Sequence, residues 1–301
     1  MTGAGTSTVA YGIESSFMGS VVDDDTDSSP DYYLPGKNVT IEEIELSNQL
    51  QRIRDPDSVE SVESIEGNLE GAFSASWIAK HWNHHNFIFN DAGTGFAPGL
   101  AASSRWYLGI DYLTGTAERE LIGVVPTQYQ IRYEQGGPVR VSVTCIYADE
   151  KLATSITPST IEDPGTVYQW HGTSLDVNTT TQAKLQSSTL QISNIARFQR
   201  GSGRKPIDAV IAAPEASLSA DTTMTETDQL ALAYGAAGST APQDSVGGVS
   251  ASFAVTNGGG TTKTFNLSEV TPDTYNWSDL VSAENDMNEN LDYQVNGVTV
   301  A

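Results

Sequence analysis

The chain has 301 residues, with 38 Asp and Glu against 15 Lys and Arg, for a formal net charge of −23. Its single cysteine, Cys145, excludes an internal disulfide and a disulfide-stapled scaffold. No run approaches the ~20 apolar residues of a membrane-spanning helix, so no membrane insertion is expected.

Residues 1–38, rich in Gly, Ser and Asp, read as an extended N-terminal arm and loop. Scattered anchors, among them Tyr11, Ile13, Phe17, Met18, Tyr32, Tyr33 and Leu34, suit a strap laid over a neighbouring surface. The rest of the chain is expected to fold without this arm. Its start lacks the basic and apolar regions of a signal peptide, so synthesis in the cytoplasm is expected. Asp23, Asp25 and Asp27 have the spacing of a calcium loop. However, Ser28 stands where the turn needs Gly, and Leu34 where the last ligand needs Glu.

Val39, Ile41, Ile44 and Leu46 come next, followed by Arg52, Ile53, Arg54, Asp55 and Pro56 and an acidic run to Gly67. In 69–77, Leu69, Gly71, Phe73, Ala75 and Trp77 alternate with Glu70, Ala72, Ser74 and Ser76, the period of a half-buried strand. Residues 77–85 are read as two helical turns, which would set His81 and His85 on one face. A hydrolytic zinc site would also need a third ligand and a base. Trp82 stands where the zinc-protease pattern has Glu, and the only histidine outside the cluster is His171, so neither metal nor cofactor is expected.

Tyr129, Ile131 and Tyr133 alternate with polar residues, and so do Val139, Val141, Val143, Cys145 and Tyr147. Gly136 and Gly137 separate the two runs, the pattern of an antiparallel hairpin. Segments 91–104 and 149–182 are read as long loops, with a strand at Leu190 and Ile192. Arg197, Arg200, Arg204 and Lys205 form the sole basic cluster. In so acidic a chain, its expected use is pairing with an acidic neighbouring subunit rather than with nucleic acid. Phe253 and Val255 are joined through Asn257 and Gly258 to Phe265 and Leu267 as a second hairpin. A short helix is expected within 278–291, and a terminal hairpin at Asn296 and Gly297, because that pair favours a turn with positive φ. No phosphate loop, dinucleotide fingerprint or Gly-x-Ser-x-Gly elbow is present, so an enzyme is not expected.

The acids recur from Asp23 to Asp292 instead of gathering in one tail. Such charge repels itself in dilute buffer, whereas in ~1 M salt the Debye length falls to ~3 Å, so the composition fits a salt-rich cytoplasm.

The order of arm, loop, Val39-to-Leu46 segment, Arg52 to Pro56 and acidic run resembles the N-terminal region of tail tube proteins of long-tailed viruses. The resemblance continues through 69–77, 128–147, 190–194 with the basic turn at 197–205, and the ends 273–277 and 292–300. It implies a mainly β protomer over 39–301, an antiparallel β-sandwich or half-barrel of the viral tail tube type. One or two short helices and long loops are expected, with a loop insertion or small β-subdomain within 149–250, where the pattern departs from the family's. The implied function is structural: rings, usually of six subunits, stacked into the hollow tube of the virion tail. Implied partners are further copies of the chain, other tail proteins such as terminator, tip or tape measure, and duplex DNA sliding non-specifically through an acidic channel. Tyr11, Phe17, Tyr32, Tyr33, Arg197, Arg200 and Arg204 are the expected assembly residues, with the arm tying one ring to the next. Together with the salt-adapted composition, this points to a virus of halophilic archaea. Two other readings stay open: a β-rich surface fibre or carbohydrate-binding module using Trp77, Trp82, Trp106 or Trp170, and a hydrolase using the histidine cluster.

Overall fold

The structure, a computed structural model, describes residues 7–23, 31–112, 115–153, 160–278 and 286–301. Strands β1 (Ser7–Ile13), β2 (Lys37–Ser47), β3 (Gln51–Ile53), β4 (Glu63–Ile65) and β5 (Glu70–Ile78) precede a one-turn helix, α1 (His85–Ile88). The middle of the chain forms β6 (Ser104–Tyr112), β7 (Gly115–Glu134), β8 (Arg140–Tyr147), β9 (Asp149–Ala153), β10 (Tyr168–Val177) and β11 (Thr180–Thr181). Then come β12 (Leu185–Ser193), β13 (Ala196–Arg200), β14 (Pro206–Ile211) and β15 (Glu215–Thr223). Helix α2 (Asp228–Ala233), β16 (Val249–Asn257), β17 (Thr262–Ser278) and β18 (Asn288–Val300) complete the order.

Fourteen of these strands share one sheet, ordered β11-β10-β16-β17-β18-β15-β12-β7-β8-β5-β2, with β6 and β9 branching from β7 and β1 lying beyond β6. The branch exists because β7 changes partners along its length. Up to Val124 it pairs with β6 and β9, and from Val125 onward with β8 and β12. Gly123, at φ 64°, and Pro126, which has no N–H to give to a ladder, mark the change; a register shift follows between Pro126 and Gln128. The β1/β6 flap thereby folds over the main sheet. Trp106 on β6 meets Phe73 and Trp77 on β5 at ring separations of 5.2 and 6.4 Å. Alternation sends Phe73, Ala75, Trp77, Tyr129, Ile131, Val141, Val143 and Cys145 into that core. Gly71 shares the inward side, and only hydrogen fits there: a Cβ would lie 2.1 Å from the Tyr147 ring.

The far end of the sheet curls back without closing a barrel. Val139 N–H donates to Tyr168 O and Tyr168 N–H donates to Ala79 O, which brings the start of β10 beside the ends of β8 and β5. The architecture is therefore the antiparallel, sandwich-like β fold expected from the sequence.

Several local expectations are corrected. Trp77 lies in β5 opposite Val141, so residues 77–85 are not a helix; the helical turn begins only at His85. Residues 149–182 carry β9, β10 and β11 instead of one long loop. The strands of 149–250 that join the main sheet include β10, β12 and β15, so this stretch is woven into the domain. Asn296 and Gly297 lie inside β18, with Gly297 opposite Ser268, so no hairpin forms there. From 278–291, Asn288 onward is strand, and residues 279–285 lie outside the described residues. Of the acidic loop, Asp23 is described and residues 24–30 lie outside the described residues.

Candidate assembly surfaces

The N-terminal segment is built into the subunit. β1 pairs with β6 from Ser7 to Ile13, and Tyr11 exchanges backbone hydrogen bonds with Tyr33 at 3.0 and 2.8 Å. Both tyrosines are buried, with the Tyr11 ring stacked 5.4 Å from Trp106. Tyr32 sits edge-on to Tyr107 at 5.3 Å, and Phe17 packs edge-on against Phe198 at 5.8 Å. Next to these, Glu14 has no exposed side-chain surface. It accepts hydrogen bonds from Ser103 Oγ (2.6 Å), Met18 N (3.0 Å) and Gly123 N (3.2 Å), with Arg105 Nε at 3.5 Å. Burial pushes its pKa up, while these donors pull it down. Sequence reasoning missed this glutamate, because nothing in the sequence brings it next to Ser103 and Gly123. All four aromatic residues assigned to assembly thus have partners within their own subunit.

The three clustered histidines hydrogen-bond within the subunit. His81 Nε2–H donates to Leu34 O at 2.7 Å, which fixes its tautomer and ties the end of the N-terminal segment down. His84 and His85 are buried with both Nε2 atoms on one hydroxyl, Tyr129 Oη, at 3.1 and 2.8 Å. Desolvation holds both rings well below the ordinary histidine pKa and lifts Tyr129 well above that of an ordinary tyrosine.

The basic cluster closes on its own chain. Arg200 donates to Leu69 O at 3.3 and 3.2 Å and to Arg204 O at 3.2 Å. Arg204 donates to Gly67 O at 3.1 Å and to Asn48 Oδ1 at 2.8 Å, and Lys205 pairs with Asp149 at 2.7 Å. The two arginines grip the neck of the β3/β4 hairpin, where Gly67 N–H also donates to Asn48 O. Arg197 is exposed, as are Arg204 and Lys205, and makes no ion pair among the described residues.

Beyond that neck the hairpin is left largely uncovered by the described residues. Among residues 48–66 only Ser58 is even half-buried, while Val59 is 93% exposed and Leu50 62%. The edge strand β2 is likewise mostly exposed, and two register shifts, at Lys37/Thr40 and Glu42/Glu45, interrupt its ladder with β5. A third surface is the outward face of the main sheet. Ser76, Ser142, Gln130, Gln191, Ser217 and Gln294 stand successively opposite one another across six strands, with no charge among them.

The hairpin and the edge of β2 are thus left uncovered among the described residues, and the uncharged row crosses a sheet face that elsewhere carries Glu134, Arg132, Arg140, Glu215 and Asp221. The family model described as phage tail tube protein matches residues 4–295. The chain belongs to that family. No curated protein sequence matches it.

As a phage tail tube protein the chain is a structural component of the virion tail. In a groove of about 850 Å³ lined by Asp91 and Asp176, Asp176 accepts hydrogen bonds from Thr181 and Ser252. Three of the four tryptophans considered for sugar stacking are not available to a ligand. Trp77 and Trp106 are fully buried and Trp82 packs on Tyr168 and Phe265, leaving Trp170 as the exposed one.

Proposed function

We propose that the tube protein polymerises as closed rings of six subunits that stack into a hollow tail tube, through which the genome passes into the host cell. The observation that supports this reading is the open edge of β2. No strand covers its outer side among the described residues, yet the strand runs eleven residues, from Lys37 to Ser47. An edge of that length invites pairing by a neighbour, and closure of a ring leaves no edge uncovered. Its two bulges restrict that pairing to a partner of matching shape.

In this reading the row from Ser76 to Gln294 lines the channel. Polar, uncharged side chains neither hold DNA phosphates nor repel them, so the wall needs no acids at its centre. Terminator, tip and tape measure proteins would meet the ends or the lumen of such a tube. The even spread of −23 per subunit fits assembly in the salt-rich cytoplasm of a halophilic archaeon.

Negative-stain electron microscopy of the purified chain tests this. In ~1 M salt rings and tubes are expected, and at ~0.1 M they shed subunits, because the Debye length grows from ~3 to ~10 Å and the carboxylates of neighbouring subunits repel. A protein that stays monomeric at high salt and is retained on a glycan matrix overturns the tube in favour of a carbohydrate-binding module.

A further inference from the structure

Arg132 on β7 and Arg140 on β8 stand directly opposite each other in the antiparallel ladder. Both are exposed, and like charges facing each other across strands destabilise a sheet. Their relief within the subunit is slight: Arg132 reaches Glu134 at 3.6 Å with both side chains more than half exposed, and Arg140 makes no ion pair among the described residues. The outward positions of β8, β12, β15 and the C-terminal half of β7 hold no other cation. The pair flanks a groove of about 360 Å³ formed with Glu134, Gln135, Gly137 and Pro138, so two cations face one acid there. At its rim Pro138 bridges to Gln169, the residue before the exposed Trp170. An unfavourable pair of cations, isolated beside an apolar residue on an acidic chain, has the makings of a recess for an acidic, partly apolar segment.

This chain carries such a segment. The turn of the uncovered hairpin runs from Asp55 to Glu63 with four acids, no cation, and Val59 and Val62 both exposed. The two features lie at opposite ends of one sheet. β5 begins at Glu70, opposite Ser47 at the hairpin's neck, and ends at Ile78, opposite Arg140. Eight residue steps of strand separate them, about 27 Å. A hairpin at one end and its receptor at the other cannot meet within a subunit. They meet when a second copy is displaced along the strand direction, and such a head-to-tail contact does not close on itself but repeats into a filament.

We infer that the acidic tip of the hairpin docks between Arg132 and Arg140 of a subunit in the next ring, with Val59 and Val62 against Pro138 and Trp170. This rests on the tube reading. It also explains how a wall otherwise without cations tolerates two arginines: the docked acids neutralise them, so passing DNA finds no exposed positive charge.

The test is a charge swap in the full chain, read by sedimentation of tubes and by electron microscopy in moderate salt. Arg132→Glu with Arg140→Glu should leave rings but lower the pelleting tube fraction more than about tenfold, the effect of losing a contact worth one decade in affinity. Glu60→Arg with Glu63→Arg should do the same, and the four substitutions together should restore tubes. Arg140→Gln should not lower the melting midpoint of the dissociated subunit, because it removes a like-charge pair; a merely structural arginine would lower it. Normal tubes from either reversed variant, no rescue in the combination, or a destabilised Arg140→Gln subunit overturns the docking while leaving the tube intact. Normal tubes that gain or lose only duplex DNA retention assign the arginines to the genome instead, which also overturns it. Wild-type protein that never polymerises defeats the tube reading and the docking with it.

Discussion

The buried pair His84 and His85 sets the acid limit of this subunit. In the unfolded chain each ring takes up a proton near the ordinary pKa of 6.5, whereas in the folded protein burial holds both well below it. A depressed folded-state pKa means that the unfolded state binds more protons at low pH. Stability from these groups is therefore complete above 6.5 and declines as pH falls below it. With both rings neutral in the folded protein at pH 5.5, each contributes a loss of about 1.4 kcal/mol, close to 3 kcal/mol for the pair. Lys263, whose charge also disfavours protonation of both rings, adds to the effect, and His81 shifts in the same direction. Glu14 works against it: its raised pKa makes the folded state the better proton acceptor in acid, but it is one group against three. Protonation of surface carboxylates also relieves repulsion in acid, so the experiment belongs in ~1 M salt, where that term is screened. Urea unfolding at pH 7.5 and 5.5 should show the loss, and histidine ring NMR resonances should stay in their neutral positions down to pH 5.5. Either ring titrating near 6.5, or stability flat across this range, would refute the burial argument.

Two further outcomes follow from packing. Tyr11→Ala removes a fully buried ring stacked on Trp106 and should cost about 3–5 kcal/mol by urea denaturation; deletion of 1–38 should then unfold the subunit, and a folded deletion product would show that the arm is dispensable. Arg204→Ala should cost about 1–3 kcal/mol and speed amide exchange in 48–69, while leaving the β7/β8 pairing as slow as before; unchanged exchange at the neck would mean that the clamp holds nothing.

The sequence made some of this legible and hid the rest for definable reasons. The β7/β8 hairpin is readable because strict alternation on both sides of Gly136 and Gly137 fixes both face and register. The same register implies that Arg132 faces Arg140, so the one cationic recess on this face was available from the sequence once the hairpin was drawn. The Phe253-to-Phe265 pairing is readable in the same way. Asn296 and Gly297 mislead because the pair is a turn signal only where φ can be positive. Here the glycine instead makes room for Ser268, whose Oγ would lie 2.4 Å from a Cβ. Residues 168–177 escape notice because a bulge between Tyr168 and Thr173 breaks the alternation that would announce a strand. The histidine spacing misleads for a different reason: i, i+4 identifies a helix face only after a helix is established, and Trp77 and Ile78 are committed to pairing with β8.

Most of the residues assigned from sequence to bridging subunits also have partners within their own subunit. The tyrosines of the N-terminal segment complete the core, and Arg200 and Arg204 hold the neck of the hairpin. The feature left free is the acidic tip, whose lack of apolar periodicity makes it read as a loop. Physical chemistry accounts for this division of labour. Large rings are few in a chain with 8 Phe and 12 Tyr, and most of them are drawn into the core. Carboxylates are in surplus, and a tip made of them remains soluble until it finds one of the few cationic recesses the fold leaves open. A contact of that kind weakens as salt rises, whereas apolar contact through Val59 and Val62 and the spacing of repelling subunits both favour high salt. The stacked tube is therefore expected to be most stable where charge is screened enough for rings to close, yet the tip still recognises its arginines.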